Sequence, residues 1–401
     1  MFRTLYSGAA GMALLSAFAA LPAGAQGLAP LEWETSGGGK FTVYGQINKG
    51  VLSYDDGQAT NSYGLIDNNN SNTRAGLRWS QPLDTWTLGT RIEIQYAPFS
   101  TANANQLNPD INDWQFDNDN IRWIDFSAKS GAIGTFSLGQ GSMSTDGIAE
   151  IDLSGTDVIA YASVGDSATA QLLTYDQPDL AGFYGPKIGS VFNDYDGSRY
   201  VRVRYDTKSF NGFSFAAAYG RNLLSSDSDI RDINQYDAAI RYENKFDAFQ
   251  IKGGIGYAAN DDDLTTWAGS VSALHNATGI NGTLAMGTRD NDGQSGEYYY
   301  GKLGMLRDFV SWGATAMSVD YYHGEDIYTA SDVSVVNDQG DVLLAGNIDG
   351  STSDSYGFAL VQKVAAANTE LWLTYRKYEF SDDLTSYGDG QAIFGGARFK
   401  F

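Results

Sequence analysis

Six arginines sit on one phase of alternating runs: Arg74 and Arg78 in "TRAGLRW", Arg91 in "WTLGTRIEIQY", Arg202 and Arg204 in "RYVRVRYD", and Arg241 in "YDAAIRYE". Alternate side chains of a strand share a face, so each run is charged on one side and apolar on the other. Guanidiniums held in water can act on passing ions, whereas each one on a lipid face costs about 2–4 kcal/mol near the midplane. Carboxylates gather elsewhere: Ser142 to Ala168 carries Asp146, Glu150, Asp152 and Asp157 and no basic residue. Catalytic chemistry finds little to work with. There are two histidines, His275 and His323, far apart and in unlike contexts, and no cysteine. No nucleophile–base–acid set, HExxH or Cys/His cluster is present, so no enzyme is expected; a hydrolase using a serine with one of the two histidines is the remaining enzymatic reading. "DYDG" and "DNDG" offer oxygen ligands suited to Ca2+ but lack the spacing of a full calcium loop. They read mainly as solvated turns, and no other cofactor is expected.

The elements that carry these residues follow one rhythm. The chain has 401 residues, 47 Gly but only 7 Pro. It opens with Arg3, an apolar run from about Ala9 to Leu21, and Ala23-Gly24-Ala25. That is a secretory signal over 1–25, cleaved after Ala25. A linker, 26–39, leads into a single domain, 40–401. Strand-like runs of about ten residues fill it. Eighteen can be counted, including "AQLLTYD" and "YGPKIGSV", or sixteen if two merge or fall in loops. Short turns such as "FDAF" alternate with long polar loops such as "AANDDDLTT" and "TRDNDGQSGE". No later stretch could span a bilayer as a helix.

Long and short connections in alternation put all the long loops on one side of the sheet. A soluble sandwich has no reason to do this, whereas an outer-membrane barrel does. Outward-phase aromatics near strand ends (Trp79, Trp86, Tyr96, Phe213, Tyr219, Tyr236, Tyr242, Tyr257 and Tyr375) fit the two interfacial girdles of such a barrel. In "YVRVRYD" the valines then face lipid and the arginines a wet lumen. The chain has 48 Asp and Glu against 26 Lys and Arg, a net charge of −22, which argues against nucleic acid. The expected fold is all-β: a transmembrane antiparallel up-and-down barrel of 16–18 strands.

With these elements in place, the chain resembles the Gram-negative general diffusion porins, especially the alphaproteobacterial branch. The resemblance rests on "FTVYGQINKGV" after a signal peptide, "TRAGLRW", "GTFSLGQG" entering a long loop, "RYDTKSFNGFSFAAAYG", and a C-terminal "ARFKF". It implies a non-enzymatic homotrimer in the outer membrane, among lipid and lipopolysaccharide, with Phe401 read by the outer-membrane assembly machinery. It also implies a third long loop, here 142–168, folded into the lumen. Its apolar residues Ile148, Ile151, Leu153, Val158 and Ile159 suit packing on an inner wall. Asp146, Glu150, Asp152 and Asp157 would then oppose Arg74, Arg78, Arg91, Arg202, Arg204 and Arg241 across a constriction, a field that orients polar solutes. The expected function is passive diffusion of small hydrophilic solutes and ions. Acidic mouth loops add a modest preference for cations. The alternatives are a substrate-selective channel, or a surface β-protein acting as a binding or adhesion module. Lys49 falls on the outward phase of the first strand, which suits a protein interface better than lipid.

Overall fold

The computed structural model describes residues 31–111 and 116–401. The signal segment, 1–25, lies outside the described residues. The linker does not stay irregular: Leu31–Glu34 forms β1, which folds back on β2 (Lys40–Asp55). There follow β3 (Thr60–Asp67), β4 (Arg74–Leu83), β5 (Trp86–Gln95), β6 (Ile121–Ser130) and β7 (Gly134–Ser142). After a long excursion come β8 (Leu172–Thr174), β9 (Tyr184–Lys187), β10 (Arg199–Thr207), β11 (Phe213–Arg221) and β12 (Asn234–Lys245). Then come β13 (Phe249–Asn260), β14 (Leu264–His275), β15 (Ile280–Asn291), β16 (Gln294–Val310) and β17 (Gly313–Glu325). The chain ends in β18 (Ala330–Val336), β19 (Val342–Ile348), β20 (Thr352–Val364), β21 (Thr369–Ser381) and β22 (Gly390–Lys400).

Sixteen of these close an antiparallel barrel. β2 completes it: its first half pairs with β4 and its second half with β22, from Gln46↔Lys400 to Asp55↔Gln391. Two sequence-predicted strands are not in the wall. "AQLLTYD" and "YGPKIGSV" supply β8 and β9, a small separate pair within the loop between β7 and β10. The barrel therefore has sixteen strands, not eighteen.

Alternation sorts the two faces as expected. Phe126, Leu138, Val203, Ile255, Val271, Leu284, Met286, Leu303, Val319 and Ile393 are exposed on the outside. The β11–β12 hairpin shows both girdles, with Phe213 on Tyr242 at the turn end (centroids 4.7 Å apart) and Tyr219 on Tyr236 at the loop end (5.9 Å). Two of the predicted long loops prove short. β13 runs to Asn260 and β14 starts at Leu264, while β15 and β16 are joined by Asp292-Gly293 alone. Both residues have positive φ, 51° and 83°, the two-residue turn that Asp-Gly favours because its twist matches the strands. Loop length therefore does not alternate throughout; the long connections are β2–β4, β5–β6, β7–β10, β11–β12 and β17–β20.

The hydrophobic core lies inside the barrel. The segment from 143 to 198 enters the lumen, longer than the 142–168 expected, and buries Ile148, Val158, Ile159, Leu173, Ile188, Val191 and Phe192. Against them stand inward aromatics of one wall: Tyr298, Tyr322, Trp372, Tyr378 and Phe394. These inward positions are core because the loop covers them.

Candidate functional site: the channel between the inner loop and the arginine wall

The inner loop is bonded to one half of the barrel, strand by strand. Asp237 on β12 accepts from the Ser144 and Thr145 amides (3.0 and 2.7 Å). Ser270 on β14 accepts from the Ile151 amide (3.0 Å) and donates to the Ile148 carbonyl (2.6 Å). The Ser318 hydroxyl on β17 meets that of Thr156 (2.9 Å), and Tyr378 on β21 donates to the Val164 carbonyl (2.9 Å). Buried backbone polar groups need partners, and the small hydroxyl residues of this wall supply them. Gly254 lies under the same stretch, where a Cβ would occupy the place of the Ile148 side chain.

Lys302 on β16 fixes the lowest part of the loop. Its ammonium is fully buried, bonded to the Asp152 carboxylate, to the Ala160 carbonyl (2.7 Å) and to Thr156 (3.3 Å). Asp152 therefore does not face the channel as the sequence reading holds; it is spent on this ion pair. A second dry pair stands beside it. Arg376 on β21 reaches across β20 to Asp320 on β17 (2.7 Å), over Gly357, where a Cβ would fall 2.5 Å from the guanidinium.

Across from it, β4 to β6 and Tyr44 of β2 carry a cluster of charged and aromatic side chains. Glu93 is its hub. The nearly inaccessible Glu93 carboxylate accepts from Arg91 (2.5 Å), Arg122 (2.7 Å) and the Tyr44 hydroxyl (2.8 Å), with Arg74 at 3.9 Å. Arg78 lies over the Tyr44 ring at 4.2 Å and Arg91 over Trp123 at 4.0 Å. Three guanidiniums around one carboxylate, with a fourth over the neighbouring Tyr44 ring, leave this patch strongly positive. Arg122 escapes the sequence reading because its phase is broken. Glu93 pairs with Trp123 but Ile94 with Ile121, so Arg122 is the extra residue of a bulge and turns inward with its neighbour.

The other expected arginines serve the neck of the loop. Arg202 is buried on Asp125 (2.8 Å) and the Gly139 carbonyl (2.7 Å), which takes it out of the channel. Arg204 holds Asp206 with two bonds (2.9 and 2.6 Å) and the Met143 carbonyl (2.6 Å), and Arg241 binds the Ser144 carbonyl (2.6 Å). Asp146 pairs with Arg199 (3.2 Å), which the sequence reading passed over. Asp157 is exposed.

Glu150 has other company. It belongs to a group of loop carboxylates with Asp166, Asp194 and Asp196. Burial, and then mutual repulsion, push Glu150 and Asp196 well above the usual carboxylate range. Burial also raises Asp194, to about 6. The "DYDG" carboxylates are engaged by the backbone: Asp196 accepts from the Gly147 and Ala149 amides (2.6 and 2.8 Å). Among the described residues no group of three or more His, Cys, Asp or Glu is arranged to hold a metal ion. His275 bonds Thr278 (2.8 Å) and His323 bonds Asp354 (2.9 Å) and Glu325 (3.2 Å).

Alongside this closed sixteen-stranded barrel with an inward-folded connection after β7, residues 10–396 match the family model for Gram-negative porins. The chain belongs to the Gram-negative porin family. It is an outer-membrane β-barrel that forms a channel. Solved porins share the fold at low identity. The anion-selective porin of Comamonas acidovorans is 14% identical, with a TM-score of 0.56 over 90% of this chain and 100% of that one. OprB of Pseudomonas putida is 9% identical, with 0.55 over 90% and 94%. OmpT of Vibrio cholerae, in its trimer form, is 12% identical, with 0.52 over 90% and 99%. No curated protein matches the sequence.

Proposed function

We propose that this porin passes small hydrophilic solutes and ions by passive diffusion through a constriction bounded by the inner loop, with Asp146, on one side and Arg74, Arg78, Arg91 and Arg122 on the other. The observation that carries this is the asymmetry of the lumen. The loop is bonded to strands from β12 to β21, and facing it across the lumen stand three guanidiniums around a single carboxylate with a fourth, Arg78, over Tyr44. Charges of opposite sign across a narrow aqueous gap orient dipolar solutes and slow apolar ones. The channel carries no chemistry of its own.

Ion preference follows from a contest between mouth and wall. The loop ends carry Asp55, Asp261 to Asp263, Asp290, Asp292, Asp382 and Asp383, which concentrate cations before entry. The arginine wall opposes them. The mouth gives a modest cation preference at low salt, which fades as the Debye length shrinks from about 10 Å at 0.1 M to about 3 Å at 1 M. The Comamonas porin is named for the opposite preference, and at 14% identity its likeness supports the fold alone. Homotrimer formation is supported by the trimeric OmpT, by Lys49, which lies on the outer surface paired with Asp67 (3.1 Å), and by the resemblance. The zero-current potential of the reconstituted protein across a salt gradient tests the preference. A cation-selective potential that declines between 0.1 and 1 M salt is expected; an anion-selective potential at every salt concentration would show that the wall governs.

A further inference from the structure

Immediately above the Glu93 hub, on the loop side, lies a polar cavity of about 320 Å3. It is formed by the tops of β5, β6, β7 and β10 and the start of the β11–β12 connection. Its lining includes Arg122 and Arg199, the carboxamides of Gln95, Gln140 and Asn222, and the Tyr200 phenol. None of this is read from the sequence, because the residues come from five separate stretches.

The composition of this lining differs from that of the wall below. The wall offers charge almost alone. Here two guanidiniums stand among carboxamides, which carry both donors and acceptors on one side chain. Guanidiniums suit carboxylate and phosphate oxygens. Carboxamides suit hydroxyls, which also donate and accept. Some of this capacity is unspent. Arg122 uses its Nε on Glu93 and its Nη1 on Gln95 (2.9 Å), and Arg199 uses its Nη2 on Asp146. The Arg199 Nε and the Gln140 Oε1 have no hydrogen-bond partner among the described residues. Both atoms are buried on residues of the lining, where Gln140 also donates its Nε2 to the Arg199 carbonyl (3.4 Å), so a donor and an acceptor stand side by side with capacity left for a ligand. The volume falls within the range of small-ligand pockets.

We propose that this cavity is a staging site for hydroxylated organic anions, namely sugar acids and sugar phosphates, held above the constriction by Arg122 and Arg199 through the oxyanion and by Gln140, Gln95 and Asn222 through the hydroxyls. The proposal rests on the porin reading and narrows it to a solute class. Such a solute dwells at the mouth of the channel and interrupts the current of smaller ions.

The test is single-channel current in chloride, with D-gluconate or hexanoate added. The two share charge and carbon number and differ in their hydroxyls. Gluconate should reduce the current with a half-blocking concentration at least tenfold lower than that of hexanoate. Arg199→Gln should raise that concentration about tenfold, and Gln140→Leu and Asn222→Leu should each raise it several-fold while leaving the hexanoate effect unchanged. Equal block by gluconate and hexanoate, or a gluconate block unmoved in all three variants, would overturn the staging site while leaving the porin intact. Folded protein that opens no channels would instead remove the porin reading, and this one with it.

Discussion

Glu93 shows how one residue sets the character of a wall. Each charge-assisted bond it accepts contributes about 1.5–3 kcal/mol, and it accepts from two guanidiniums and a phenol. Glu93→Gln removes the carboxylate at the centre of that cluster. The variant should shift the zero-current potential toward anions and lower stability, by about 3–6 kcal/mol if two of these bonds are lost. An unchanged potential would mean that the cluster lies off the ion path. Asp194 makes a pH prediction. Aspartate in an unfolded chain titrates near 3.9, and in the folded loop Asp194 is raised to about 6 by burial. Between these values the folded state keeps a proton that the unfolded state gives up. The contribution of Asp194 to loop stability is therefore fully present in acid and is lost as pH rises from about 4 to about 6. The same proton removes negative charge from the lumen. Lowering the pH from 7.5 to 4.5 should weaken cation preference; a potential that is flat across this range would count against the carboxylate group as a contributor. The arginines of the wall were legible in the sequence because strand alternation is a strict code. Arg122 was not, since a bulge shifts the phase by one. Nor was the role of Asp152, because its partner Lys302 is 150 residues away.

At the scale of elements, the inner loop decides how the lumen is divided, and Lys302 is its principal latch. Removing one partner of a buried ion pair costs about 3–5 kcal/mol, whereas replacing both with apolar side chains is often neutral. Lys302→Met alone leaves Asp152 buried and uncompensated. The carboxylate must reach water, which lifts the loop off β16. Larger and noisier channel openings are expected for Lys302→Met, with quiet openings restored in Lys302→Met/Asp152→Leu. Equal noise in the single and double variants would show that the latch does not position the loop. This loop also marks the limit of reading strands from pattern. "AQLLTYD" and "YGPKIGSV" alternate well enough to pass for wall strands, but they form β8 and β9 inside the barrel. Local alternation reports a half-buried strand and cannot say what buries it. The short turns after β13 and β15 were missed for a related reason. Runs of Asp, Asn and Gly look like loop, yet Asp292-Gly293 needs only two residues because both take positive φ.

At the scale of the whole molecule, closure depends on β2 meeting both β4 and β22, and the C-terminus is part of the seam. The amide and carbonyl of Phe401 bond the carbonyl and amide of Gly45 (3.1 and 3.0 Å). Deleting Phe401 removes this last rung together with the terminal aromatic side chain. The variant should accumulate less in the outer membrane at low expression; undiminished levels would contradict a role for Phe401 in assembly. Fold class was legible because lipid outside and water inside impose opposite polarity on alternate residues along every strand. The division of the lumen was not, because it depends on contacts between the inner loop and residues up to 214 positions distant, such as Tyr378 with Val164. The central claim, an aqueous pore biased by its arginine wall, is tested most directly in planar bilayers with purified protein. Stepwise, near-ohmic conductance is predicted, with cation selectivity at 0.1 M salt that increases when Arg74, Arg78 and Arg91 are all changed to Gln. Folded protein that gives no conductance steps, or a triple variant whose zero-current potential matches the unmodified protein, would contradict the account.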